Sequence, residues 1–176
     1  GWMQELDEPH ESAEEEHGVT SFVFESRRPF HPERFAELLD DLPTNVVRSK
    51  GHFWLAGRDE FGLGIDVAGQ SIRIEPAGRW IAALPEDEQE EYLEAYPALD
   101  ENWHPKYGDR ATRLVVIGTE MDHDALRTDL DTATLTDDEM DADWEAFEDR
   151  FPRFELEADD EQATDEDAAE EVGLAD

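Results

Sequence analysis

TSFVFESRRPFHPERFAELLDDL, residues 20–42, decides how this chain folds. Phe22 and Phe24 point one way and Ser21, Val23 and Glu25 the other, the two-residue period of a pleated strand. Arg27-Arg28-Pro29-Phe30 then turns the chain. A helix begins at Pro32, because a proline at the first helical position gives up no hydrogen bond. Glu33 places negative charge at the positive end of the helix dipole. Phe35, Leu38, Leu39 and Leu42 fall on one face at helical spacing, and Pro43 ends the helix. A strand, a basic turn and an amphipathic helix make one sheet-plus-helix layer.

Downstream, three stretches alternate like strands. Val46 to Leu55 sets Val47, Phe53 and Leu55 against Arg48, Lys50, His52 and Trp54. Phe61, Leu63, Ile65 and Val67 alternate with Gly62, Gly64 and Asp66, so the second face is bare enough for another element or a partner to approach closely. Gln70 to Pro76 sets Ile72 and Ile74 against Arg73 and Glu75. Turns at Gly57-Arg58-Asp59 and Ala68-Gly69 predict an antiparallel meander, which Gly78-Arg79-Trp80-Ile81-Ala82 extends. Pro85 opens an acidic helix with Tyr92, Leu93 and Tyr96 as its apolar side, and Pro97 closes it; Ala98 to Arg110 is an irregular loop. Leu114-Val115-Val116-Ile117 predicts a central strand covered on both faces. Asp122 caps a helix that buries Leu126 and Leu130, with Met121 and Leu126 as a hydrophobic staple. Thr136-Asp137-Asp138-Glu139 is a capping box opening a last helix that buries Met140, Trp144 and Phe147.

This order predicts an α+β fold: a mainly antiparallel sheet of about four to six strands with helices packed on one face, related to a split strand-helix-strand unit. The expected domain is 18–152, between an acidic, histidine-bearing linker (1–17) and a disordered acidic tail (153–176).

The 176 residues carry 49 acidic and 14 basic side chains, for a net charge of −35. Only Lys50 and Lys106 are lysine. An ordinary domain with acidic tails is one reading. Acid spread through the folded part and the scarcity of lysine favour another, a protein adapted to molar salt, where a Debye length of about 3 Å screens self-repulsion. Either way the charge argues against nucleic acid as a partner, which needs cations against phosphates, and against an anionic membrane surface. There is no cysteine, so no thiolate chemistry and no cysteine metal site. No apolar run reaches membrane-spanning length and no secretory pattern opens the chain, so the expected location is the cytoplasm.

No phosphate-cradling loop, nucleophile elbow or paired zinc-ligand histidines can be found. With no positioned nucleophile or base, the chain is not expected to be an enzyme. His10 and His17, among carboxylates, either hold a divalent ion or lie on a solvated tether. Arg27 and Arg28 either clasp a carboxylate or phosphate, or pair with the protein's own acids and fix the turn. Asp109-Arg110 is read as an ion pair or turn. Trp54, Trp80 and Trp103 either line a core or groove or, beside cationic strand faces, form a recognition surface.

Four motifs in order carry a family resemblance: Arg27-Arg28-Pro29-Phe30-His31-Pro32-Glu33-Arg34, Arg48-Ser49-Lys50-Gly51-His52-Phe53-Trp54-Leu55-Ala56, Gly78-Arg79-Trp80, and Trp103-His104-Pro105-Lys106-Tyr107-Gly108-Asp109-Arg110 with Val116-Ile117-Gly118. Together they resemble the C-terminal domain of CobW-type GTPase metallochaperones, over roughly Gly18 to Met140. The family usually has an acid where His104 stands and a tryptophan where Tyr107 stands. The resemblance implies an accessory domain, as a fragment or a stand-alone chain, that contacts a GTPase domain or a metalloenzyme client. GTP and magnesium would enter only through a GTPase domain absent from this sequence, and zinc or cobalt would be the metal delivered. On that reading Arg27, Arg28, Phe30, His31, Lys50, Trp54, Trp80, Trp103, Asp109 and Arg110 are the partner-binding residues. The alternative is a stand-alone protein binding a divalent metal through His/Asp/Glu, with His10, His17, His31 and His104 as candidate ligands.

Overall fold

The alternating stretches form five strands: β1 (Val19–Ser26), β2 (Val46–Phe53), β3 (Phe61–Ala68), β4 (Ser71–Arg79) and β5 (Thr112–Thr119). The structure is a computed structural model that describes residues 18–155; the linker 1–17, with His10 and His17, and the tail beyond Glu155 lie outside the described residues. The strands make one antiparallel sheet ordered β1-β5-β2-β3-β4. Because β5 runs antiparallel to both β1 and β2, those two are parallel to each other. With α1 (Pro32–Asp40) between them in sequence, they form the expected split strand-helix-strand unit.

The apolar parity of each strand faces α1 and α4 (His123–Ala133). Phe22, Phe24, Phe53, Leu63, Ile65, Val67, Leu114 and Val116 pack there with Phe35, Leu126 and Leu130. Each large side chain so buried contributes about 1.5–3 kcal/mol. Phe30 and Phe35 stack with ring centroids 3.8 Å apart, and Phe53 meets Phe35 edge-on at 4.9 Å. Helix starts follow the sequence: Asp122 accepts from the Ala125 N–H, and Thr136 and Glu139 form a capping box. Among the described residues no helix is long and apolar enough to cross a membrane.

Several expectations are corrected. Val46, not Val47, enters the core, because a register shift between Val46 and Arg48 reverses the strand's parity there; Val47 is 48% exposed. Trp54 is fully buried, not on the cationic face: β2 ends at Phe53, and the Trp54 N–H donates to Thr112 Oγ1 at 3.0 Å. On β5, α1 and α4 cover one face; on the other Val115 is buried, but Arg113 and Ile117 beside it are half-exposed. α2 (Glu86–Ala95) has no fully buried residue: Leu93 is half-buried, and Tyr92 and Tyr96 are exposed. Pro97 does follow the end of α2, whose C-cap is Tyr96, but it also begins a short helix, α3 (Pro97–Glu101), where an irregular loop is expected. The last predicted helix is two pieces, α5 (Asp137–Met140) and a 3-10 turn at Trp144–Ala146. Met140, Trp144 and Phe147 are only half-buried.

The chain then straps back over the core. Phe151 lies 5.9 Å from Phe35 and 5.8 Å from Phe53, and Phe154 packs against the same cluster. Arg58 fastens this strap. It donates to both Asp149 oxygens at 2.9 Å, to the Pro152 carbonyl at 2.7 Å and to the Phe151 carbonyl at 2.8 Å.

Candidate functional site

The basic turn is stitched into the centre of the fold. Phe30 N–H donates to the Trp54 carbonyl at 2.9 Å, Ala56 N–H to the Phe30 carbonyl at 3.0 Å, and His31 N–H to the Ala133 carbonyl at 2.8 Å. Its cations bind the protein's own groups. Arg27 donates to the carbonyls of Gly108 and Asn102. Arg28 donates to the Leu135 carbonyl at 3.0 Å and pairs with Asp137. Arg34 forks onto Glu139 at 2.6 and 2.9 Å and reaches the carbonyls of Thr132 and Thr134. That fork is the main cause holding the Glu139 carboxyl down to about 2.

Two histidines share one role. His31 Nδ1 accepts the N–H groups of Glu33 and Arg34 at 3.2 and 3.5 Å, capping α1. His104 Nδ1 accepts those of Lys106 and Tyr107 at 3.0 and 3.1 Å. Each precedes a proline, which fixes the backbone for the next turn. Burial, then the Arg34 charge, lowers the His31 pKa, although Glu139 beside it pulls the other way. An Nδ1 that accepts backbone N–H groups is not available to a metal. Among the described residues no cluster of three or more His, Asp or Glu side chains is placed to hold one. His31 and His104 thus serve as caps through Nδ1, and the Nε2 of His31 lies 3.9 Å from Glu139.

The 102–110 loop is likewise internally bonded. Asp109 accepts the N–H groups of Ile81 and Ala82 at 2.9 Å each, and Arg110 donates to the carbonyls of Asp59 and Tyr107. The pair thus builds the turn rather than a mutual ion pair. Trp80 lies on Gly62, where an added Cβ would come within 2.9 Å of its ring; the bare strand face is bare for Trp80. Trp103 is half-buried against Gly108. Phe30 and Trp54, both 0% exposed, cannot touch a partner in this conformation.

What remains accessible is the sheet face opposite α1 and α4. Cross-strand register arranges it in rows. The first row is Glu25, Arg113, His52, Gly64 and Glu75; the second is Val23, Val115, Lys50, Asp66 and Arg73; the third is Ser21, Ile117, Arg48, Ala68 and Ser71. Asp66 sits between Arg48 at 3.6 Å and Arg73 at 3.9 Å, and Arg113 pairs with Glu25. The rows hold four cations (Arg48, Lys50, Arg73, Arg113) and three carboxylates (Glu25, Asp66, Glu75). This face is near neutral on a chain of net charge −35. A groove of about 680 Å³ opens at its Thr112 end, lined by Glu25, Arg27, His52, Asn102, Asp109 and Arg113 among others. Burial, then the Arg113 charge, lowers the His52 pKa.

Of the residues the sequence singled out, Lys50 lies on this face, Arg27 and Asp109 line its groove, and Trp80 meets His52 edge-on at 6.2 Å. Arg28 and His31 belong instead to the junction with the 134–139 segment. Sequence reasoning did not pick out Glu25, Arg113, Asp66 or Arg73 as a set. Each holds the polar parity of its own strand, but only the register aligns them.

The family described as cobalamin synthesis protein CobW C-terminal domain matches residues 19–134. A zinc chaperone of Mycobacterium tuberculosis is 35% identical over 136 residues, which cover 76% of this chain and 34% of that protein. A zinc-regulated GTPase metalloprotein activator of Dictyostelium discoideum is 33% identical over 150 residues, covering 80% of this chain and 30% of that one. The chain thus spans about a third of the length of the curated relatives it matches. Among solved structures, the Zn(II)-bound YjiA GTPase from E. coli aligns with 72% of this chain and 33% of its own at a TM-score of 0.46 and 15% identity, a likeness too weak to carry an argument.

Proposed function

Because the chain belongs to the CobW C-terminal domain family, we propose that it is the accessory domain of a GTP-dependent zinc chaperone, docking through the open face of its sheet and performing no catalysis alone. The observation that carries this is the uncovered, charge-balanced face. Five strands wide, it bears half-exposed Val23 and Ile117 among four cations, on a chain whose remaining surface is strongly anionic. Elsewhere a partner with the acidic surface of a salt-adapted cell would have to pack carboxylate against carboxylate, which stays unfavourable at contact even where salt screens longer-range repulsion. Near-neutrality with apolar side chains suits contact with another folded domain. We assign the GTPase domain as that partner, with the metalloenzyme client engaged by the assembled protein in the cytoplasm. Zinc is then cargo handled outside the described residues.

Lys50 and Trp80 are the sequence-selected residues that border this contact. Arg28, His31, Trp103, Asp109 and Arg110 act indirectly, by holding the sheet, α1 and the 102–110 loop in one frame, while Arg27 lines the groove at the edge of the face. The test is to produce a family GTPase domain separately, add it to this chain in molar KCl, and measure association and GTP hydrolysis. A stoichiometric complex with altered turnover is the expected result. No binding and an unchanged rate would remove the reading.

A further inference from the structure

We propose that the groove at the Thr112 end of the open face receives a carboxylate from an acidic segment of a partner protein, held by Arg113 and Arg27, and that Glu25 is an internal stand-in for that carboxylate. Two carboxylates line the groove, and they are not equivalent. Asp109 is locked, with both oxygens on backbone N–H groups at 2.9 Å. Among the described residues, Glu25 is held through its side-chain pair with Arg113. Its side chain is 63% exposed, against 20% for that of Arg113. An exposed carboxylate on a largely buried guanidinium is the half of the pair that can leave. Exposed pairs are worth little, and molar salt weakens them further, so a better-placed carboxylate can take over the site.

Arg27 supplies the second cation. Its hydrogen-bond partners among the described residues are the neutral carbonyls of Gly108 and Asn102, which fix its position without neutralising it. Guanidinium groups match carboxylates in a bidentate fork. The Asn102 backbone and the half-exposed Leu99 add a polar and an apolar wall. A protein segment is favoured over a free small anion because the groove is open and continues the first row of the sheet face, where an extended chain can lie beside the carboxylate it delivers.

This inference rests on the docking reading for the source of the carboxylate, but its test needs no GTPase domain. In 2 M KCl, the chain is titrated with an acetyl-tetraglutamate amide and, separately, with acetate and inorganic phosphate, following the His52 ring and Arg113 Nε resonances by NMR. The peptide is expected to saturate and shift both. Glu25→Gln is expected to tighten binding about two- to five-fold, the factor matching one exposed ion pair. Arg113→Gln and Arg27→Gln should each weaken it ten-fold or more, while Arg150→Gln, on a remote pair with Asp40, leaves it unchanged. Two cation variants are used so that a folding defect in one leaves the other decisive. Equal, non-saturating shifts with all three anions, or weaker binding by Glu25→Gln, would overturn the proposal. If the GTPase domain binds and the peptide does not, only this inference fails; the converse removes only the docking reading.

Discussion

Replacing Arg58 with alanine should cost more stability than removal of any other cation in the domain. Its side chain is 5% exposed and that of its partner Asp149 is 7%. The guanidinium makes four hydrogen bonds, two to the carboxylate and one each to the carbonyls of Phe151 and Pro152. Arg58→Ala leaves the buried Asp149 carboxylate, among the described residues, with the Phe151 N–H at 2.9 Å and the exposed Arg153 at 3.8 Å, and leaves two carbonyls without their donor. Breaking such a pair from one side costs about 3–5 kcal/mol. A domain of this size is stable by about 5–15 kcal/mol, so the loss is a large fraction of the whole. The matched comparison is Arg150→Ala, whose pair with Asp40 is also short, 2.8 Å, but 59% and 65% exposed. That change should cost under about 1 kcal/mol. The assay is urea denaturation in 2 M KCl, read by tryptophan fluorescence, and then repeated at 1 and 3 M. The Arg58 effect should hold across that range, because buried charges are poorly screened. A loss below about 1 kcal/mol, or one no larger than that of Arg150→Ala, would refute the view that this pair fastens the 149–154 strap.

The same structure sets three further outcomes. Gly51 has φ of +153°, and an added Cβ would sit 2.1 Å from the Arg113 carbonyl, so Gly51→Ala should destabilise the β2–β5 ladder by about 3 kcal/mol or more, measured by the same titration. His31 has a lowered folded-state pKa, so the unfolded chain binds its proton more readily. Its contribution is therefore full above its ordinary value of 6.5 and is lost as pH falls through that value toward the folded one. His52 acts with the same sign, whereas Glu139 contributes only to losses below 4.5, toward about 2. His31→Ala should cost about 0.5–2 kcal/mol at pH 7.5 and flatten the decline of the urea midpoint between pH 7 and 5.5; an unchanged pH profile would contradict the cap. Raising KCl from about 0.1 to 3 M should raise the melting temperature, because screening relieves carboxylate repulsion; a flat or falling curve would oppose salt adaptation.

Local physics made much of the fold readable. Phe22 and Phe24 announced the buried parity of β1, Pro32 and Phe35 the start and face of α1, and Thr136 with Glu139 a cap that needs only neighbouring residues. The misreadings share a cause in distance along the chain. Trp54 looked like a strand-face residue until Thr112, Tyr107 and Trp144 closed around it. Val47 kept the right alternation, but a register shift against β5 turned it outward. Arg27 and Arg28 were read as either clasping a ligand or holding the turn. The groups that fix the turn are carbonyls at Asn102, Gly108 and Leu135 and the carboxylate of Asp137, far beyond any local window. The open face was the least legible part. Its rows exist only in the register, which brings Glu25 to Arg113 and Lys50 to Asp66.

The claim that the face opposite α1 and α4 meets the GTPase domain is tested most directly by mapping that contact on the labelled chain. Amide NMR signals of this domain in molar KCl would be compared before and after adding an unlabelled GTPase domain. Shifts and broadening concentrated at Val23, Lys50, Asp66, Arg73 and Ile117, with α1 and α4 unmoved, is the result expected. Perturbations confined to α1 and α4, with the three rows of the open face unchanged, would contradict the account.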